Sequence, residues 1–73
     1  MKANVIYLRA AREGRKLTQE QLAHKSGVRQ NHISRLETRP IRASWDIVAS
    51  LASALNVDPS RLRFGPEPRR KAG

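Results

Sequence analysis

The sequence predicts a compact all-α domain of five short helices, and three observations carry that prediction. Apolar residues recur at spacings of three and four in successive segments: Val5, Leu8 and Ala11, then Ile33 and Leu36, then Val48, Leu51, Ala52 and Leu55. Residues that cap helix starts stand ahead of such segments, at Thr18, Ser44 and Asp58. Breakers fall between them, at Gly27 and Pro40. A chain of 73 residues has room for one domain. It contains no cysteine, so no disulfide or thiolate metal site braces it, and helix packing must supply nearly all its stability.

The first helix is expected over Val5 to Arg15. Leu8 is its main core anchor, the Arg12 stem lies along its edge, and Gly14 marks where it ends or frays. Thr18 caps the second helix. Thr18-x-x-Gln21 has the capping-box pattern, with Leu17 and Leu22 as the hydrophobic staple. Leu22 and Ala23 face inward, and the small Ala23 lets the next helix cross closely. Gly27 ends this helix where the chain needs positive φ, which ranks Gly27→Val among the most damaging single changes.

Val28 anchors the start of the third helix, and Ile33 and Leu36 share its buried side. At about 100° per residue, Gln30, Asn31, Ser34, Arg35 and Thr38 gather on the opposite arc, which holds no aliphatic residue. The helix stops near Thr38, because Pro40 disfavours a helical Arg39 and cannot itself continue the ladder. Ser44 caps a fourth helix over Trp45 to Leu55, with Trp45, Val48, Leu51, Ala52 and Leu55 as its apolar stripe. Asp46 favours its positive end, and Asn56 caps the far one. Asp58 and Pro59 open a short fifth helix, after which Leu62 and Phe64 close the core. Residues 1–66 are thus read as the folded domain and 67–73, with Arg69-Arg70-Lys71, as a basic, disordered tail. There is no internal repeat.

The formal charge is +9, unevenly spread. Residues 1–16 carry net +4, 17–43 net +3, 44–58 net −2 and 59–73 net +4. The fourth helix should therefore face away from a polyanion. No apolar stretch approaches the roughly 20 residues that span a bilayer, and the N-terminus lacks a signal-peptide core, so no membrane partner is expected and the cytoplasm is the default location. Enzyme chemistry is poorly supported. His24 and His32 lie eight apart without cysteine, six acidic residues are scattered, and there is no zinc-protease motif, phosphate loop or carboxylate pair. No cofactor or metal is expected.

The third helix carries the sharpest chemistry. Gln30 and Asn31 can each pair two-pronged with adenine, and Arg35 with guanine, while the small Ser34 admits close approach. Duplex DNA is the partner that this face and the basic shell imply. Gln19 opens the second helix at its positive end, a natural phosphate seat. Lys25, Arg29, Arg39 and Arg42 flank the reading helix as candidate phosphate contacts, and Arg9 and Arg12 lie on the first helix. Glu37 would repel phosphate if it pointed outward, so it is expected to turn inward and pair with Arg12.

From Leu8 to Phe64 the chain resembles the Cro and phage-repressor helix-turn-helix family. The likeness rests on Leu8-Arg9-x-x-Arg12, on Leu17-Thr18-Gln19-x-x-Leu22-Ala23-x-x-x-Gly27-Val28-x-x-x-x-Ile33-x-x-Leu36-Glu37, on Leu51-Ala52-x-x-Leu55-x-Val57, and on Leu62. The resemblance implies a lambda repressor-like five-helix domain whose second and third helices form the helix-turn-helix. It implies that the helix beginning near Arg29 enters the major groove. Gln30, Asn31, Ser34 and Arg35 would then be the base-contacting positions, and Gln19 a phosphate contact that also braces Gln30. It further implies a homodimer on a pseudo-palindromic operator, often for repression. In this chain the interface is expected around the fifth helix and its neighbours, with Leu62 or Phe64 partly exposed to the partner. Some members are antitoxins, so a toxin protein is the alternative partner. A co-regulator bridge and charge-driven coating of nucleic acid are further alternatives. The chain departs from the family pattern at Arg29, where Ser or Thr usually caps the third helix, at Arg39 in place of a glycine, and at Ala43 in place of a proline. The loop from Thr38 to Ala43 is therefore expected to take its own path.

Overall fold

Ile6 and Tyr7 do not open the first helix. They form a short strand, β1 (Ile6–Tyr7), as suits a β-branched and an aromatic residue. The structure is a computed structural model that describes residues 5–67. β1 pairs in parallel with β2 (Leu62–Arg63), with Ile6 opposite Leu62 and Tyr7 opposite Arg63. Between them run α1 (Leu8–Gly14), α2 (Gln19–Ser26), α3 (Gln30–Thr38) and α4 (Trp45–Leu55), followed by a 3-10 turn at Pro59–Arg61. The described residues therefore hold four α-helices, not five.

The expected fifth helix fails for a local reason. Asp58 caps as predicted, its carboxylate accepting from the Ser60 N–H at 3.0 Å. The turn nevertheless lasts only three residues, because Leu62 is extended and paired with β1. That pairing buries Leu62 to 4% exposure, so Leu62 is not free for a dimer partner, while Phe64 is half-buried against the core. The first helix likewise begins at Leu8 and leaves Val5 exposed. The run Arg69-Arg70-Lys71, read as a tail, lies outside the described residues.

The predicted caps form. Thr18 accepts from the Gln21 N–H at 3.0 Å, and the Gln21 side chain accepts from the Thr18 N–H at 2.8 Å, which closes the capping box. Gly27 ends α2 at φ +80°. A Cβ there would meet open space, so its demand is conformational alone. Ser44 caps α4, and Asn56 ends it in the left-handed region. At the end of α1 the left-handed residue is Lys16, φ +59°, two positions beyond Gly14. There the Leu17 N–H reaches the Arg12 carbonyl and the Lys16 N–H the Glu13 carbonyl, a Schellman closure. Arg15 Nε donates to the Leu55 carbonyl at 2.7 Å, fastening the end of α1 to the end of α4.

The end of α3 solves a problem set by Pro40. In a continuing helix the Leu36 carbonyl would accept from residue 40, but proline has no N–H. The Gly65 N–H takes that place, donating to Leu36 O at 2.7 Å. Gly65 can do so because it sits at φ +98° with its backbone against Pro40, where a Cβ would lie 3.0 Å from the Pro40 Cα.

Leu8, Leu22, Ile33, Leu36, Leu51 and Leu55 are fully buried at the centre. Ala11, Val28, Ala52, Ala54 and Leu62 fill between them. Burying a side chain of the Leu or Ile size stabilises by about 1.5–3 kcal/mol, so these six dominate the favourable side of folding. On α4 the inward stripe differs from the expected one. Ile47 packs on the core, whereas Trp45 is 68% exposed. At about 100° per residue Trp45 lies about 20° from the fully buried Ala52, so helical phase does not expose it; its place at the first position of α4, about two turns before Ala52, does.

Candidate nucleic-acid interface

α3 is held so that its two sides do different work. Ile33 and Leu36 drive it into the core, and Glu37 is buried with them. Gln30, Asn31 and Arg35 are exposed on the other side, and Ser34 is half-buried. None of Gln30, Asn31 and Arg35 has a side-chain hydrogen bond or ion pair among the described residues. Thr38 is turned back on its own helix, its hydroxyl donating to the Ser34 carbonyl at 2.9 Å. Arg29, Asn31, His32 and Arg35 line one shallow depression along this face. On the far side of Arg29, a second depression lies in the angle between α2 and α3, lined by residues that include Glu20, His24 and Gln30.

Arg29 occupies the N-cap of α3 and makes no side-chain cap bond. The Ser26 hydroxyl instead accepts from the Val28 N–H at 3.1 Å, ordering the turn just before it. Arg29, Lys25, Arg39 and Arg42 are all exposed, with no ion pair among the described residues. These four expected phosphate contacts are thus four free cations on α2, α3 and the loop after α3.

Glu37 turns inward, as expected. Its carboxylate accepts from Arg12 Nε at 2.6 Å and from Arg12 Nη2 at 3.1 Å, the two-pronged geometry that Arg and carboxylate favour. The hydrogen bond to Glu37, then the charges of Glu37 and Glu13, hold the Arg12 guanidinium protonated still more firmly than an ordinary arginine, against the opposing effect of burial. Arg12 also donates to the Leu17 carbonyl at 2.8 Å, so one guanidinium ties α1, the approach to α2, and α3. Arg12 is therefore committed to the interior, and Arg9 is paired with Glu13 at 3.1 Å.

Gln19 joins the same node. Its amide nitrogen donates to Glu37 Oε1 at 3.1 Å, so it braces Glu37 and not Gln30. The Thr18 hydroxyl is taken by Gln21, which leaves the backbone N–H groups of Gln19 and Glu20 outside the capping box at the positive end of α2. The arrangement has a simple electrostatic result. The one carboxylate on α3 is neutralised inside, and the helix shows outward only neutral amides, a hydroxyl and cations.

Trp45, like Val5, was read as part of an apolar stripe and is exposed. The position of Trp45 directly after the Ser44 cap was the available signal, since a first-turn residue ahead of the inward stripe need not be covered. Among the described residues, no group of three or more His, Cys, Asp or Glu side chains could hold a metal ion. No described helix is long and apolar enough to cross a membrane.

Comparison with known proteins agrees with this geometry. The helix-turn-helix family profile matches residues 8–62, from the start of α1 to the first residue of β2. A curated relative from Sinorhizobium fredii, the uncharacterized HTH-type transcriptional regulator y4dL, is 37% identical over 51 residues. The match covers 70% of this chain and 26% of that protein, so the chain spans about a quarter of the relative's length. No solved structure matches the chain significantly. On the profile match and the shared sequence, the chain belongs to the phage-repressor-like helix-turn-helix family.

Proposed function

We propose that this chain is the DNA-reading domain of a sequence-specific transcriptional regulator, most simply a repressor that occupies a pseudo-palindromic operator as a homodimer. The observation that carries the reading is the outer face of α3, where Gln30, Asn31 and Arg35 stand exposed and without partners while Glu37 is buried against Arg12. Laid in a major groove, Arg35 can take a guanine edge, and Gln30 and Asn31 adenine edges. Ser34 permits close approach. Each good two-pronged pair discriminates by about 1–3 kcal/mol.

Affinity would come mainly from phosphate. Lys25, Arg29, Arg39 and Arg42 on one subunit would give a salt slope of about −3 to −4 in log K against log salt. The Gln19 and Glu20 backbone N–H groups would seat one more phosphate, with the Gln19 side chain fixed by Glu37. The relative's name as a transcriptional regulator supports the same reading. Two subunits on one face of B-DNA would place their α3 helices about 34 Å apart.

The test is selection of bound duplexes from a random library at near-physiological salt. The reading expects an enriched inverted repeat with half-site centres one helical turn apart. Binding without any enriched motif would overturn it in favour of charge-driven association.

A further inference from the structure

Trp45 is the single tryptophan of the chain and is 68% exposed, the largest apolar side chain left in water among the described residues. It stands at the first position of α4, on a base fixed by Ser44, whose hydroxyl accepts from the Ile47 N–H. Ile41, 37% exposed, lies four residues before it. Arg39 and Arg42 flank the same stretch, both exposed and unpaired among the described residues. Arg39 is also the residue that ends α3. The loop is drawn in by a bond from the Ile41 N–H to the Arg39 carbonyl at 2.8 Å. The patch around Trp45 is thus continuous along the chain with the end of the helix assigned to base reading.

We propose that Trp45 is a nucleic-acid contact, its ring packing on the sugar–phosphate backbone beside the groove that α3 enters, with Arg39 and Arg42 neutralising the flanking phosphates. The inference rests on the DNA reading above and adds a surface and a residue to it. Indole chemistry suits the role. The ring face packs on apolar deoxyribose carbons, and Nε1–H can donate to a phosphate oxygen. Charge selects this occupant over a second copy of the chain. A two-fold contact would place the same patch on both sides. From Arg39 to Asp46 the chain carries two arginines and one aspartate, so each copy would bring a net positive charge to the contact. A polyanion reverses the sign of that interaction, and only the first residue of α4 need approach it, with the rest of that net-negative helix turned away.

Because no other tryptophan is present, the intrinsic emission of the full chain reports on this residue alone. The probe is a mixed-sequence duplex of about 12 base pairs, a little over one helical turn and so too short to seat two half-sites. Anisotropy of a dye-labelled duplex reads binding, while Trp45 emission and its quenching by iodide are read on the unlabelled duplex at low salt. The proposal expects emission to change, and iodide access to fall, over the concentration range in which anisotropy rises. Trp45→Ala should weaken binding about tenfold at unchanged melting temperature, and Trp45→Phe should recover most of that loss. A rise in anisotropy with Trp45 emission and iodide access unmoved would overturn the proposal and leave the DNA reading standing. Emission that instead follows protein concentration without DNA would overturn it in favour of a second copy. No rise in anisotropy on any duplex would overturn the DNA reading, and this proposal with it.

Discussion

Replacing Gly65 with alanine should destabilise the domain more than replacing Gly27, the other left-handed glycine among the described residues. Two costs combine at this position. At φ +98° an L side chain is strained by about 1–2 kcal/mol. The new Cβ would also stand 3.0 Å from the Pro40 Cα, 3.2 Å from the Pro40 nitrogen and 3.3 Å from the Arg39 carbonyl carbon. These are backbone atoms and cannot swing aside as a side-chain tip would, so overpacking adds about 1–3 kcal/mol. Relief by moving the segment outward would stretch the 2.7 Å bond from the Gly65 N–H to Leu36 O, the bond that replaces the amide missing from Pro40. The expected total is about 2–5 kcal/mol, against a stability of order 4–11 kcal/mol for a domain of this size. Gly27→Ala is the control. Its φ of +80° carries the same kind of strain, but nothing lies within 4 Å of the added atom, so its cost should stop at about 1–2 kcal/mol. Urea and thermal unfolding followed by far-UV circular dichroism would measure both, at about 4–8 °C per kcal/mol. If Gly65→Ala costs no more than Gly27→Ala, the packing of Gly65 on Pro40 does not support the end of α3 as argued.

Three further outcomes follow from the same structure. Glu37→Leu alone should cost about 3 kcal/mol, because it strands the largely buried Arg12; Arg12→Met with Glu37→Leu should cost distinctly less than the two single changes summed, and a thermal double-mutant cycle reads the difference. Arg29→Ser should stabilise the protein by about 1 kcal/mol by supplying the cap that α3 lacks, yet weaken DNA binding and reduce the salt slope by about 0.9, both readable from melting curves and salt titrations. The Asp58 carboxyl is held below its usual range, first by the Ser60 N–H and then by the Ser60 hydroxyl. It therefore favours the fold above the unfolded carboxylate range, and that contribution is lost as pH falls through its lowered folded value; acid titration of Asp58→Asn beside the parent should show a shallower loss of stability.

The parts of this molecule legible in its sequence were those decided within a few residues. Thr18 with Gln21, Gly27, Ser44 and Asn56 act through bonds to near neighbours, so their local pattern suffices. The Arg12–Glu37 pair was a longer reach, found because a carboxylate on a helix facing a polyanion needs a cation and Arg12 lay on the right edge. What escaped was set by distant partners. The pairing of Ile6 with Leu62 joins the two ends of the fold; it turns one expected helix start into a strand and cuts the expected fifth helix to a three-residue 3-10 turn. Likewise, no local rule tells that the amide missing at Pro40 is supplied by Gly65. Trp45 was misassigned because its helical phase matches that of the buried Ala52, whereas its place at the very start of α4 leaves it uncovered. On α3 the outward position of Gln30, Asn31 and Arg35 followed from helical period alone, whereas the engagement of the Gln19 amide with Glu37 needed the three-dimensional node.

The measurement that bears most directly on α3 as a reader of bases is the ratio of specific to non-specific affinity for Arg35→Ala, taken at one salt concentration on an enriched duplex and a scrambled one. Base reading predicts that affinity for the enriched duplex falls by about tenfold or more while scrambled-duplex affinity stays nearly constant, with preference relaxed at one position of each half-site. An equal fall on both duplexes would make Arg35 a backbone contact and contradict the assignment of this face to sequence recognition.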